Sequence, residues 1–211
     1  GGNLENFLKL DRFDRLFLGE KDNLASENPS KYLLYQDALL GIFDYHLRGK
    51  DAAGYYRRLA QELEGCVLEA GCYTRLFAYY HCLAQVLSEK ADLGVKIKAA
   101  YDAHDLSTLQ SISEEKIPHI ITQMWKLKDL REDLWMEDGK PFGYELIDLR
   151  LGGVLTRLES CSRRLEKYMQ GALPKLEELE GERLPYFGEG ETAIENRWQR
   201  AISGADLTDT I

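Results

Sequence analysis

Apolar side chains recur about once per helical turn along most of the chain, and that spacing predicts a succession of amphipathic α-helices. Leu4, Phe7, Leu10, Phe13 and Phe17 step by threes and fours and predict a short first helix, ended by Gly19. Residues 19–28 read as a polar loop, after which Asn28-Pro29 offers an N-cap and a proline at the first helical position. From Tyr32 to Leu47 the chain is so densely apolar that helix and buried strand give similar signals. We read short helices there, with Asp37 capping the second.

The rhythm is cleaner from Asp51 onward. Ala52, Tyr56, Leu59, Leu63 and Cys66 form one stripe, Gly71 breaks the chain, and Leu76, Tyr80, Leu83, Leu87 and Ala91 carry the pattern on to about Tyr101. Residues 104–112 read as a linker. Ser113 is placed to cap a helix bearing Ile117, Ile120, Met124, Leu127, Leu130 and Leu134, with Pro118 at its start or at a bend. Asp138-Gly139-Lys140-Pro141 is a strong turn signal. The most regular stripe follows: Ile147, Leu151, Val154, Leu158, Cys161, Leu165 and Tyr168, closed by Gly171. Leu173–Glu180 reads as a last acidic helix, and residues 187–211, anchored only by Trp198 and Ile202, as an extended or partly ordered tail. Together these elements predict an all-α fold, an antiparallel helical bundle over residues 1–186 with an irregular C-terminal tail over 187–211.

Composition narrows the function classes. A chain of 211 residues is long enough to bury a sizeable core. Its net charge of −9 weighs against nucleic acid and anionic membranes as partners, because both require clustered cations. No apolar run is long enough to span a bilayer, and no secretory leader is visible. The start at Gly1-Gly2, without Met, reads as a cut from a longer polypeptide. Cys66, Cys72, Cys82 and Cys161 form no CxxC pair, which favours reduced core thiols and points to the cytoplasm, with a disulfide between helices as the alternative.

Few residues suggest chemistry. His46, His81, His104 and His119 are well separated and have no metal-ligand spacing, so no metal site is assigned. His81 beside Cys82 is a weak nucleophile pair, since adjacent helical residues diverge. With 36 acidic residues, chance carboxylate pairs abound, and the run Glu177, Glu178, Glu180 and Glu182 is most simply a solvated face. Gly152-Gly153 lies inside the best stripe, where each glycine costs around 1 kcal/mol relative to Ala. Either a neighbouring helix or domain approaches closely there, or the pair is simply tolerated. Glu145 and Asp148 suit the start of a helix, while Glu145 and Arg150 also qualify as residues facing a partner. Of Trp125, Trp135 and Trp198, Trp135 at the turn is the choice for an interface aromatic.

Three stretches carry a resemblance. FLKLDRFDRLFLGEKDNLASENPSKYLLYQDALLGIFD resembles the segment after the catalytic barrel in bacterial β-N-acetylhexosaminidases of glycoside hydrolase family 20. LREDLWMEDGKPFGYELIDLRLGGVLTRLESC and LEELEGERLPYF are similar to the helical C-terminal domain of those enzymes. The resemblance implies a parent enzyme that removes terminal N-acetylglucosamine or N-acetylgalactosamine with assistance from the substrate's acetamido group. The adjacent Asp-Glu pair such catalysis uses, at the end of a barrel strand, has no counterpart in this chain. No catalytic residue or cofactor is therefore carried over. What remains is an accessory domain packed against the catalytic barrel of the same polypeptide, with a homodimer as a further expectation. Gly152 and Gly153 would permit tight contact, and Trp135, Tyr144, Glu145 and Arg150 would make it. The alternative is a stand-alone helical protein-interaction module whose 147–168 seam pairs between chains; a helical metalloenzyme is the remote third class.

Overall fold

A computed structural model describes residues 33–185. The readings of Leu4–Phe17, of the 19–28 loop, of Asn28-Pro29 and of the 187–211 tail lie outside the described residues. Within them, every regular element is helical, as the periodicity predicts. In chain order they are α1 (Asp44–Leu47), α2 (Ala52–Glu69), a 3-10 turn (Gly71–Tyr73), α3 (Thr74–Lys90), α4 (Leu93–Asp102) and α5 (Leu106–Ser111). A π-wound turn (Ile112–Lys116) then leads into α6 (Ile117–Asp138), α7 (Tyr144–Met169) and the single-turn α8 (Glu177–Glu180).

Four long helices lie side by side, α2 on α3, α3 on α6 and α6 on α7. Short connections make α2–α3 and α6–α7 antiparallel hairpins. The α3–α6 pair is antiparallel too: Arg75 meets Glu137 at one end (3.2 Å) and Lys116 meets Glu89 at the other (2.7 Å). Local chemistry sets the ends. The Asp51 carboxylate accepts from the Gly54 amide at 2.8 Å and caps α2. Gly71, at φ +56°, and Gly171, at φ +74°, take the left-handed conformation that closes a helix without a Cβ clash.

Most positions of the predicted stripes lie in the core or pack on it, whereas Leu76 and Leu134 are half-buried outside it. Tyr56, Leu59, Leu63 and Cys66 of α2 face Leu83 and Leu87 of α3 across the interior; Ile117, Ile120, Met124 and Leu127 of α6 and Leu151, Leu158, Cys161 and Leu165 of α7 complete it. Burying each large side chain stabilises the fold by about 1.5–3 kcal/mol. The α7 seam is thereby used inside the chain.

Five local readings are corrected. Asp37 does accept from two amides, those of Leu39 and Leu40, but what it caps is a turn rather than a helix, because Gly41 at φ +52° reverses the chain. The pattern up to Tyr101 is broken at Ala91–Asp92, where α4 turns away. The linker at 104–112 is helical, with Asp105 as its cap: the carboxylate accepts from the Thr108 amide at 3.0 Å. Ser113 caps nothing; it is buried in the π-wound turn and its hydroxyl lies 2.8 Å from that of Ser162 on α7. The wider winding just before Pro118 accommodates a residue that lacks an N–H and crowds the carbonyl one turn earlier. Finally, the Leu173–Glu180 helix shrinks to α8, since Pro174 interrupts it.

Candidate functional site

The turn between α6 and α7 builds a corner from two of the singled-out aromatics. Near the end of α6, the Trp135 indole N–H donates to the Lys140 carbonyl at 2.6 Å. Tyr144 opens α7; its ring centre lies 6.1 Å from that of Trp135, and its hydroxyl donates to the Lys128 carbonyl at 3.2 Å. Gly143, at φ +92°, lets the chain enter α7 here, and the Glu145 carboxylate accepts from its amide at 2.7 Å. Tyr144 is only 4% exposed, so it supports the corner from beneath. Burial first, and the Asp148 carboxylate next, push its phenol up to about 12. Outward-facing material is supplied by Phe142, 84% exposed, and by the half-buried Trp135. The Arg131 guanidinium stacks on Trp135 at 5.4 Å and on Tyr79 at 5.8 Å, linking the corner to α3.

A groove of about 350 Å³ runs beside α7, between that helix and residues 35–38. Tyr35, Asp37, Leu149, Arg150, Gly153 and Arg157 are on its lining. Asp37 and Arg157 form an ion pair across its wall. Burial raises the Asp37 carboxyl, but the Arg157 hydrogen bond and the two turn amides outweigh it and hold the group below its usual range. Burial raises the Tyr35 phenol against the opposing pull of Arg150 and Arg131. A Cβ built on Gly152 or Gly153 would meet no described atom within 4 Å. The close approach that the glycine pair suggests is thus made by none of the described helices. Both glycines open outward, beside a groove that already holds Arg150.

A second cluster is buried, and sequence reasoning missed it. Asp44 is 3% exposed; Gln36 donates to its carboxylate at 2.8 Å, and the Arg183 Nε stands 3.3 Å away. Arg183 also donates to the carbonyls of Leu39 (2.6 Å) and Glu178 (3.0 Å). Burial pushes the Asp44 carboxyl up to about 6, with Arg183 the main opposing influence. Lys90, also buried, is pushed down to about 8 by burial, against the attraction of Asp37 and Asp44. A lysine so perturbed suits covalent chemistry. Here, however, its amine donates to the carbonyls of Leu33 (3.1 Å) and Gln36 (2.7 Å), closing the end of the helical turn at 33–35. Asp44 is enclosed as well: a Cβ at Gly41 would fall 2.1 Å from its Oδ2, and one at Gly94 2.8 Å away. These charges hold the fold together. The one available signal was a charged residue inside an otherwise apolar run, at Asp44; Lys90 lies in the polar stretch 88–92 and gave none.

Nothing else among the described residues gathers catalytic groups. Cys66, Cys82 and Cys161 are buried free thiols, and Cys72 is free and exposed. Burial pushes Cys82 to about 11 and Cys161 to about 12, far from a reactive thiolate. No group of His, Cys, Asp and Glu among the described residues is arranged to hold a metal ion, and no described helix is long and apolar enough to cross a membrane.

Compared with known proteins, residues 5–198 match the model of a family described as the glycoside hydrolase 20C C-terminal domain. No curated protein matches the chain.

Proposed function

Because the chain belongs to the glycoside hydrolase 20C C-terminal domain family, we propose that it is the non-catalytic helical domain of a β-N-acetylhexosaminidase. Its parent hydrolyses terminal N-acetylhexosamine, and this domain packs against the catalytic barrel of the same polypeptide, with a second copy as a further partner. The observation that carries the packing is the glycine pair of α7. Two glycines inside a helix cost around 1 kcal/mol each, and no described atom of this chain comes near enough to explain them. Their position continues the exposed strip begun by Phe142 and Glu145 at the corner and by Leu149 on α7. A strip of that kind suits an interdomain contact, in which backbone closeness substitutes for side-chain volume.

The non-catalytic half of the reading has a direct test. The purified 211-residue protein is expected to release no nitrophenol from a nitrophenyl N-acetyl-β-glucosaminide or galactosaminide above the buffer rate. Turnover that scales with protein concentration, and that survives further purification, defeats the proposal.

The seam-pairing alternative loses its support. Leu151, Val154, Leu158, Cys161 and Leu165 are buried within the chain and cannot pair with another copy without unfolding it.

A further inference from the structure

The turn that reverses the chain at Gly41 carries apolar side chains where turns ordinarily carry polar ones. Leu39 and Phe43 are buried in the core, but Leu40 and Ile42, which flank the glycine, are left 51% and 46% exposed. Tyr45, just beyond the buried Asp44, is exposed as well, with the Arg48 guanidinium 4.9 Å from its ring centre. Arg183 reaches across to this turn. Its Nη2 donates to the Leu39 carbonyl at 2.6 Å, and its own carbonyl accepts from Arg48 at 3.4 Å. Leu184, next in the chain, is thereby held beside the turn, and it is 69% exposed. Four large apolar side chains thus gather around Arg183.

Scattered exposed apolar residues need no explanation, but a group of this kind marks a contact. A separate protein needs more surface than this, since a stable interface takes about 20–30 residues a side. A segment of the same chain needs less, because its tether holds it near at about millimolar effective concentration. One such segment leaves from the patch itself. After Leu184 and Pro185, residues 186–211 carry Ile194, Trp198 and Ile202 at four-residue steps, which puts all three on one face of a helix, with Asn196 and Arg200 on the opposite one. The link from Pro185 to Ile194 spans at most about 30 Å, enough to fold back over a patch that begins at Leu184. The family match runs on to residue 198 and so takes in two of these three anchors.

We propose that the C-terminal segment folds back on its own chain as an amphipathic helix over residues 194–202, seating Trp198 on Leu40, Ile42 and Tyr45 beside Leu184. Arg183 anchors the arrangement: the side chain that stands against Asp44 also fixes the point from which the segment departs. The inference is independent of the domain-packing reading, since the patch and its occupant belong to one chain.

The test uses the 211-residue protein in dilute solution. With Trp198 replaced by the photoreactive benzoylphenylalanine, an aromatic that keeps the anchor's bulk, illumination is expected to join residue 198 to the peptide that carries Leu40, Ile42 and Tyr45. The product should migrate as a monomer. An Ile42→Asp change, made at an exposed side chain, should abolish that cross-link while the bundle keeps its helical circular dichroism and cooperative melting. In parallel, hydroxyl-radical labelling of Leu40 and Tyr45 is expected to rise several-fold in a Trp198→Ala variant and to stay near the starting level in Trp198→Phe. No cross-link, or one that maps elsewhere in the chain or to a second copy, overturns the inference. So does labelling of the turn that Trp198→Ala leaves unchanged, or that falls only when the catalytic domain is attached.

Discussion

Replacing Arg183 with methionine is expected to lower stability by about 3–5 kcal/mol at pH 7, and by distinctly less near pH 5. The reason lies in what the substitution leaves behind. Asp44 is enclosed by Gly41 and Gly94, and Arg183 is the cation that stands against its Oδ2. Methionine fills similar space but leaves a buried carboxylate without its counter-charge, together with the Leu39 and Glu178 carbonyls that Arg183 had served. Burial already holds the Asp44 carboxyl at about 6 in the folded protein, and Arg183 is the largest influence pulling it down. Without Arg183 it rises further above the value of about 3.9 expected in the unfolded chain. A group with a raised folded pKa binds more protons folded than unfolded. Its contribution is therefore most favourable below the unfolded value and is lost as pH climbs through the folded one. The variant recovers as pH falls from neutral towards 4, and the gap to the parent sequence narrows. Urea denaturation followed by far-UV circular dichroism at the two pH values measures this. An Asp44→Asn change in the same background should return part of the loss, because it removes the uncompensated charge. An equal loss at both pH values, with no recovery in the double variant, would show that the ion pair contributes nothing and that Arg183 acts through packing alone.

This cluster marks where sequence reading stops. The stripes on α2, α6 and α7 were legible because helical periodicity is local: Leu59 and Leu63, or Leu158 and Cys161, declare a face within one turn. The turn glycines were equally legible, since Gly71 and Gly171 do what a residue without Cβ does at a helix end. By contrast, Asp44 meets Arg183 across most of the described chain, Gln36 donates to Asp44, and Lys90 donates to the Gln36 carbonyl; no spacing rule joins them. The linker reading failed for a related reason. Residues 106–116 carry few apolar side chains, yet the Asp105 cap and the burial of Leu109 and Ile112 hold them helical. Propensity and periodicity look along the chain, whereas these elements are fixed by what they pack on.

The candidate site divides in the same way. Trp135, Tyr144 and Glu145 are gathered at one corner because the turn at 139–143 is short, and sequence adjacency made that gathering visible. Arg150, Gly152 and Gly153 share α7 with Tyr144 and Glu145, but the groove beside them exists only because residues 35–38 pack there. The glycine pair was conspicuous as an energetic oddity, while the site it borders became visible only in three dimensions.

The phase of α6 can be tested with two substitutions five residues apart. Ile120→Ala is expected to cost about 3–4 kcal/mol, whereas Trp125→Ala, which removes a far larger side chain, should cost under about 1 kcal/mol. Five residues at roughly 100° each place the two positions on different sides of the helix. Ile120 is fully buried where α6 meets α3 and α7, so its truncation leaves a cavity among Ile117, Met124 and their neighbours that a close-packed interior refills poorly. Trp125 is 51% exposed, and its recorded ring partner is the Lys128 amine at 5.9 Å, a contact made largely in water. Denaturant titration of both variants, with unchanged slopes, gives the comparison directly. A loss at Trp125 equal to that at Ile120 would mean that α6 is rotated about its axis relative to this packing. The α3–α6–α7 layer, and with it the placement of the α7 groove, would then be wrong.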